Sequence, residues 1–213
     1  MNRDNRRGQR KRRGQGNKTI YVLVDGETEK LYLDQLKNIE RLKSITIKPD
    51  LNKKKTIAQQ FETIKEESKH YDQAIWMVDF DTILKEEREF KGGRKSPLIV
   101  FNECYRELSE IENVNVLVNV PCLEYWYLLH IKNSGRFYSI YSELERELNA
   151  IPILGYNKSR KYYISGGGIY ARLKPNLNTA YQRAKALGQY DSENPQQAKA
   201  EIYRLFEILE IEL

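Results

Sequence analysis

Residues 21–36 read YVLVDGETEKLYLDQL, and two periodicities meet inside them. Tyr21 to Val24 closes the run TIYVLV, which begins at Thr19 and is apolar and β-branched without alternation, as a strand covered on both faces must be. From Glu27 onward Leu31, Leu33, Leu36 and Ile39 fall at helical spacing. A strand therefore turns into a helix at Asp25 and Gly26, and this junction carries Asp25, Glu27 and Glu29. Strand-to-helix junctions of this type build α/β folds, whose ligands bind outside the carboxyl ends of the strands. Three acids crowded at such an end need a reason.

The same alternation continues outward. A short strand is expected over 44–51 (SITIKPDL), a helix over about 56–70, and a buried strand over 74–78 (AIWMV). A Gly/Lys-rich loop at 91–95 leads into a helix over about 97–111, and VNVLVNV at 114–120 is the next strand. The fold class is thus α/β, a parallel sheet with right-handed crossovers flanked by helices. After Pro121 the character changes: CLEYWYLLHI, 122–131, reads as a strongly apolar helix, with further helices at about 138–148, 169–187 and 195–211. Between them lies YNKSRKYYISGGG, 156–168, basic and tyrosine-rich, whose three glycines read as a hinge rather than a phosphate loop. The division expected is a basic tail over 1–18, an α/β domain over 19–131, and a helical extension over 132–213 packed on it as a cap. In the last helix Ile202, Leu205, Phe206 and Leu209 share one face for that packing.

Composition bounds the function classes. The 213 residues are 40% hydrophobic and 31% charged, enough for one well-packed core and too apolar for a disordered chain. No apolar run approaches the roughly 20 residues of a membrane-spanning helix, and no apolar segment follows the arginine-rich start as a signal peptide would, so a cytoplasmic protein without membrane contact is expected. Cys104 and Cys122 lack metal-site spacing and read as reduced, packed thiols. Residues 1–18 hold eight basic residues against Asp4, a net +7, so the rest of the +6 chain stands at −1. This tract is expected to be mobile when alone; it suits phosphate-bearing polymers through counterion release, or equally a solvated or protein-contacting arm.

Asp79 and Asp81 (VDFD) follow the strand over 74–78, so they are expected at the same sheet edge as Asp25, with Glu29 one helical turn further on. Period two sets the two aspartates on one side. Four carboxylates brought together repel one another unless a counter-charge is present, and hard oxygen ligands suit Mg²⁺ or Mn²⁺. Simpler roles exist for some of them. Asp25 with Gly26 also fits a helix cap, and Glu27 is read as a complement to the helix dipole, worth about 0.3–1 kcal/mol.

The combination VLVDGETE, VDFD and NVPCLEYWYLLH resembles the RloB-like proteins, a bacterial family with a TOPRIM-type fold, and more distantly the nuclease domain of the overcoming-lysogenization-defect (OLD) proteins. The likeness spans nearly all of the chain after the tail; the first two motifs are common to TOPRIM proteins, and the PCLEYWYLLH element points to RloB. It implies a TOPRIM-like Rossmannoid sheet and a Mg²⁺- or Mn²⁺-dependent nuclease acting on DNA or RNA in phage defence, abortive infection or a restriction-linked system, often beside an ATPase encoded next to it. Asp25 takes the place of the usual TOPRIM glutamate, Glu29 that of the second acid, and Asp79 and Asp81 that of the DxD pair. These four are the expected metal ligands.

Glu124 would be costly if buried unpaired in its apolar helix, so it is read either as a metal or substrate ligand or as a salt-bridge partner, the site role being favoured, with Asn119 and Pro121 at the same edge. Lys158, Arg160 and Lys161 are candidate cations for a scissile phosphate, Lys158 being carried into the site, although lone basic residues are usually solvated. The catalytic set expected is Asp25, Glu29, Asp79, Asp81, Glu124 and Lys158. His130 is read as a packed or dipole-facing histidine rather than a general base. Two alternatives stand beside the nuclease. DFDTI matches the start of a haloacid-dehalogenase-type phosphatase with Asp79 as nucleophile, although that motif belongs on a first strand and here lies on the third. A non-catalytic, nucleic-acid-binding or regulatory subunit of a defence complex is the other. Assembly into an oligomer is left open.

Overall fold

In the computed structural model of the chain, residues 18–42, 45–51 and 56–213 are described, 45–51 by backbone alone. The expected basic tail lies outside these residues except for Lys18. Strand β1 (Lys18–Val24) leads into helix α1 (Glu27–Glu40), then β2 (Ile45–Leu51), α2 (Ile57–Glu67) and β3 (Gln73–Asp79). Helices α3 (Phe80–Glu89) and α4 (Pro97–Ser109) precede β4 (Val114–Val120). The remainder holds α5 (Glu124–Ile131), α6 (Tyr141–Asn149), α7 (Arg160–Ile164), α8 (Gly168–Leu173), α9 (Leu177–Ala186), β5 (Lys199–Ala200) and α10 (Tyr203–Ile208).

The strands form one sheet in the order β2-β1-β3-β4-β5; the first four are parallel and β5 is antiparallel to β4. Alternate residues of each central strand enter opposite cores. Ile20, Val22, Val24, Ile75, Met77 and Leu117 face α1, α5 and the C-terminal helices, whereas Tyr21, Leu23, Trp76, Val78 and Val116 face α2, α3 and α4. Burial on both faces is why these strands read as unbroken apolar runs. Because β2 and β3 flank β1 on opposite sides, the strand order reverses between β1 and β3, and the carboxyl ends of those two strands border the crevice where such folds bind ligands.

Three details differ from the sequence-based expectation. Helix α3 begins directly after β3, with Asp79 serving as both last strand residue and N-cap, so Asp81 sits in a helical first turn and the period-two relation to Asp79 does not hold. No turn residue separates the two elements, which is why the pattern gave no sign of a helix there. The helix expected over 195–211 is confined to Tyr203–Ile208, because Lys199 and Ala200 pair with the β4 edge instead. The extension is therefore a helical cap that also contributes an edge strand. Finally, the helix expected over 169–187 is broken by a 3-10 turn at Lys174–Asn176, where Pro175 removes a backbone donor.

Helix α5 is buried on every side from Glu124 to His130, and Trp126 Nε1 donates to the Tyr32 hydroxyl of α1 at 2.8 Å. Cys104 and Cys122 are buried free thiols, as read. Among the described residues no helix is long and apolar enough to cross a membrane.

Candidate functional site

The site is assembled where β1, β3 and β4 end. Asp25 follows β1, and its Oδ2 accepts the backbone N–H of Asp79 at 3.3 Å, which ties the two strand ends together. Glu29 lies in the first turn of α1 and is only 3% exposed. Gly26 caps this helix without a side chain, and a Cβ there would stand 3.0 Å from Glu29 Oε2, so the glycine leaves room for the carboxylate. Across the crevice Asp79 Oδ1 accepts the N–H of Leu123 at 3.0 Å, and the N–H of Asp81 donates to the Pro121 carbonyl at 2.9 Å. Two bonds thus fasten the β3–α3 junction to the β4–α5 junction. Glu124, the next residue, opens α5 beside Asp79.

One carboxylate oxygen each from Glu29, Asp79 and Glu124 lies within 4.8 Å of the others. Glu124 is 1% exposed. Its Oε1 receives the Lys158 ammonium at 3.4 Å, the Tyr156 hydroxyl at 3.3 Å and the Tyr163 hydroxyl at 3.4 Å. Its Oε2 is buried with no hydrogen-bond partner among the described residues. Lys158 also stands 3.8 Å over the ring of Tyr141, whose hydroxyl is 2.8 Å from that of Tyr156.

The electrostatics follow from this crowding. Burial, then the Glu124 and Asp25 charges, push Glu29 up to about 7, against its own backbone N–H and Lys158. Burial and the charges of Glu29, Asp25, Glu124 and Asp81 hold Asp79 well above the usual carboxylate range. Asp81 is raised by burial and by Glu124, with Lys158 and the Thr82 hydrogen bonds opposing. For Lys158, burial lowers and the Glu124 carboxylate more than restores, leaving it above the ordinary lysine value. Among the described residues, several acids share Lys158, and a buried acceptor oxygen is left without a donor. A divalent cation with hard oxygen preference fits that donor set.

All six residues expected from the sequence belong to this edge, but their grouping differs from the expected ligand set. Glu124 joins Glu29 and Asp79 in the close trio, while Asp25 and Asp81 border it. Asn119 serves the fold: its Oδ1 accepts the Ile202 N–H at 3.3 Å and so fixes the C-terminal segment. His130 is packed, as read, with Nδ1–H donating to the Trp126 carbonyl at 2.8 Å, and burial pulls it down to about 4. Glu27 pairs with Arg160 rather than acting on the helix dipole alone. The two tyrosines on Glu124, Tyr156 and Tyr163, were missed. Their signal was the tyrosine-rich composition of 156–168, which marks a segment able to donate hydroxyls but not what it contacts.

A family model described as RloB-like protein matches residues 20–209. No curated protein and no solved structure matches the chain.

Proposed function

The chain belongs to the RloB-like family, and from that premise we propose that it is a Mg²⁺- or Mn²⁺-dependent nuclease with a TOPRIM-type site, hydrolysing phosphodiester bonds of DNA or RNA in anti-phage defence. The observation that carries this reading is the trio of Glu29, Asp79 and Glu124 at the β1/β3 switch point, with their oxygens within 4.8 Å and Glu124 Oε2 unpartnered. These three would hold the cation, and Asp25 and Asp81 add negative charge beside it. A divalent ion held there supplies Lewis acidity toward a phosphoryl oxygen and makes water a better nucleophile at neutral pH.

The protein's own groups do the rest. Asp25, anchored on the Asp79 amide, would orient the attacking water and take its proton. Lys158, held by Glu124 with its side chain 48% exposed, offers positive charge to the scissile phosphate from the solvent side. The working context we infer is cytoplasmic, in an abortive-infection or restriction-linked system with an ATPase encoded alongside.

The test is a cleavage assay with purified protein, alone and with that ATPase, on tRNA, single-stranded and duplex DNA. Cleavage with Mn²⁺ that chelator abolishes and Asp79→Asn removes is expected. Nucleic-acid binding that survives chelation, with no cutting under any of these conditions, would instead establish a non-catalytic subunit.

A further inference from the structure

We propose that Tyr156 and Tyr163, with Lys158, form a clamp on Glu124 Oε1 that leaves Oε2 free for the cation; the two tyrosines are positioning residues of the site. The inference rests on the cation-binding reading above and specifies what holds its third carboxylate in place.

A glutamate at the start of a helix has three side-chain torsions, and ordering a side chain of this length costs up to about 1.5–2 kcal/mol. Glu29 and Asp79 are steadied by their own surroundings, Glu29 in the first turn of α1 and Asp79 by the Leu123 amide. Among the described residues, Glu124 has no backbone partner for either oxygen. Three donors converge instead on Oε1 alone. Tyr156 has one proton and three acceptors within 3.5 Å, namely Tyr141, Tyr163 and Glu124; of these the carboxylate oxygen is the strongest acceptor. The Tyr163 hydroxyl has Glu124 Oε1 at 3.4 Å and the Tyr156 hydroxyl at 3.5 Å, and here too the carboxylate oxygen is the stronger acceptor.

The rings are themselves fixed. Tyr162 meets both, edge-on to Tyr156 at 5.6 Å and to Tyr163 at 5.5 Å. The segment that carries them is fastened to α1, through Gln35 donating to the Tyr163 carbonyl and through the Arg160–Glu27 ion pair. Since α1 also carries Glu29, the tyrosine segment sets the position of Glu124 relative to Glu29. Partners that orient a ligand side chain in this manner are worth about 10–100-fold in metal affinity.

The experiment is a calorimetric Mn²⁺ titration of the full-length protein and of Y156F, Y163F, Y156F/Y163F, Y162F and E124Q, with circular dichroism of each as a check on folding. Phenylalanine keeps every ring contact and deletes only the hydroxyl. Tyr162 is the control, because its hydroxyl donates to the Leu154 carbonyl at 2.9 Å and does not reach Glu124. Y156F/Y163F is expected to weaken Mn²⁺ binding about tenfold or more, each single variant less, and Y162F not at all, with the Mn²⁺ concentration for half-maximal cleavage rising in parallel. Should the double variant not fold, the two single variants carry the test. If E124Q weakens binding while the tyrosine variants match the wild type and Y162F, the clamp is refuted and the cation site stands. If the wild type binds no Mn²⁺, or E124Q binds it unchanged, the cation site itself is refuted.

Discussion

Asp79 Oδ1 accepts the backbone N–H of Leu123 at 3.0 Å, a bond that joins the end of β3 to the residue before Glu124. The same carboxylate is one of the trio, so it has two separable tasks. Asn at this position retains a carbonyl oxygen for the Leu123 amide but removes the charge. Asp79→Asn is therefore expected to melt at a higher temperature than the wild type in chelator, where the acids repel unrelieved, and to lose cleavage by about a hundredfold or more. Asp79→Ala loses the Leu123 bond as well and should be less stable than Asp79→Asn by about 1 kcal/mol. Thermal melts in chelator compare the three; equal melting of the Asn and Ala variants would show that the Leu123 bond contributes nothing.

The trio and its flanking acids should differ in their hold on a cation. Glu29→Gln and Glu124→Gln each remove a proposed ligand and should weaken Mn²⁺ binding about a hundredfold. Asp81→Asn removes only a neighbouring charge, and a loss of about fivefold is expected, the size of a water-screened charge effect near 1 kcal/mol. Titration of the three variants under one ionic strength decides it. A larger loss for Asp81 than for Glu124 would restore the DxD pair as the principal ligands.

Glu29 and His130 should give stability opposite pH dependences. Glu29 is raised from 4.5 to about 7, so the native state binds its proton more tightly and its contribution is lost as pH rises from 4.5 through 7. His130 is lowered from 6.5 to about 4, so the unfolded state binds its proton more tightly and stability falls as pH drops through the same window. Each is worth on the order of 3 kcal/mol across its range. Asp79 and Asp81 are raised as well and act in the same direction as Glu29, so the comparison is with the wild type: in chelator, the slope of stability against pH between 4.5 and 6.5 should be more positive for Glu29→Gln than for the wild type, and more negative for His130→Gln. Denaturant unfolding at a series of pH values reads both slopes; parallel curves for the two variants would contradict the assignment.

Gly168 adopts a φ of 79°, and a Cβ there would fall into the side-chain amide of Gln35, which accepts the Tyr170 N–H at 3.1 Å and donates to the Tyr163 carbonyl. Gly168→Ala should cost about 3 kcal/mol, part of it backbone strain and part of it this collision. In a Gln35→Ala background the collision is gone, and the same change should cost about 1–2 kcal/mol less. A double-mutant cycle by chemical denaturation gives the coupling. Additive costs would mean that the two residues do not meet.

How much of this was legible follows from where each signal lives. Strands β1, β3 and β4 could be read because burial on both faces forces unbroken apolar runs. Their order along the chain, with helices between, marked the class as α/β. The acids at 25, 29, 79 and 81 could be assigned to one edge because a residue just after a parallel strand must emerge there. Helix α3 was hidden by its abrupt start at Asp79, and β5 by its length, since two paired residues carry no periodicity.

Sequence alone thus determined the layers of this protein and the edge on which its charge collects, because burial and strand direction are properties of short segments. Which carboxylates actually meet was decided only by tertiary structure. Glu124 reaches Glu29 and Asp79 through hydrogen bonds between β3–α3 and β4–α5, and the tyrosines that grip it arrive from a segment more than 30 residues away. Distances of a few ångströms between remote segments depend on the packing of every element between them, and no local pattern of residues encodes that.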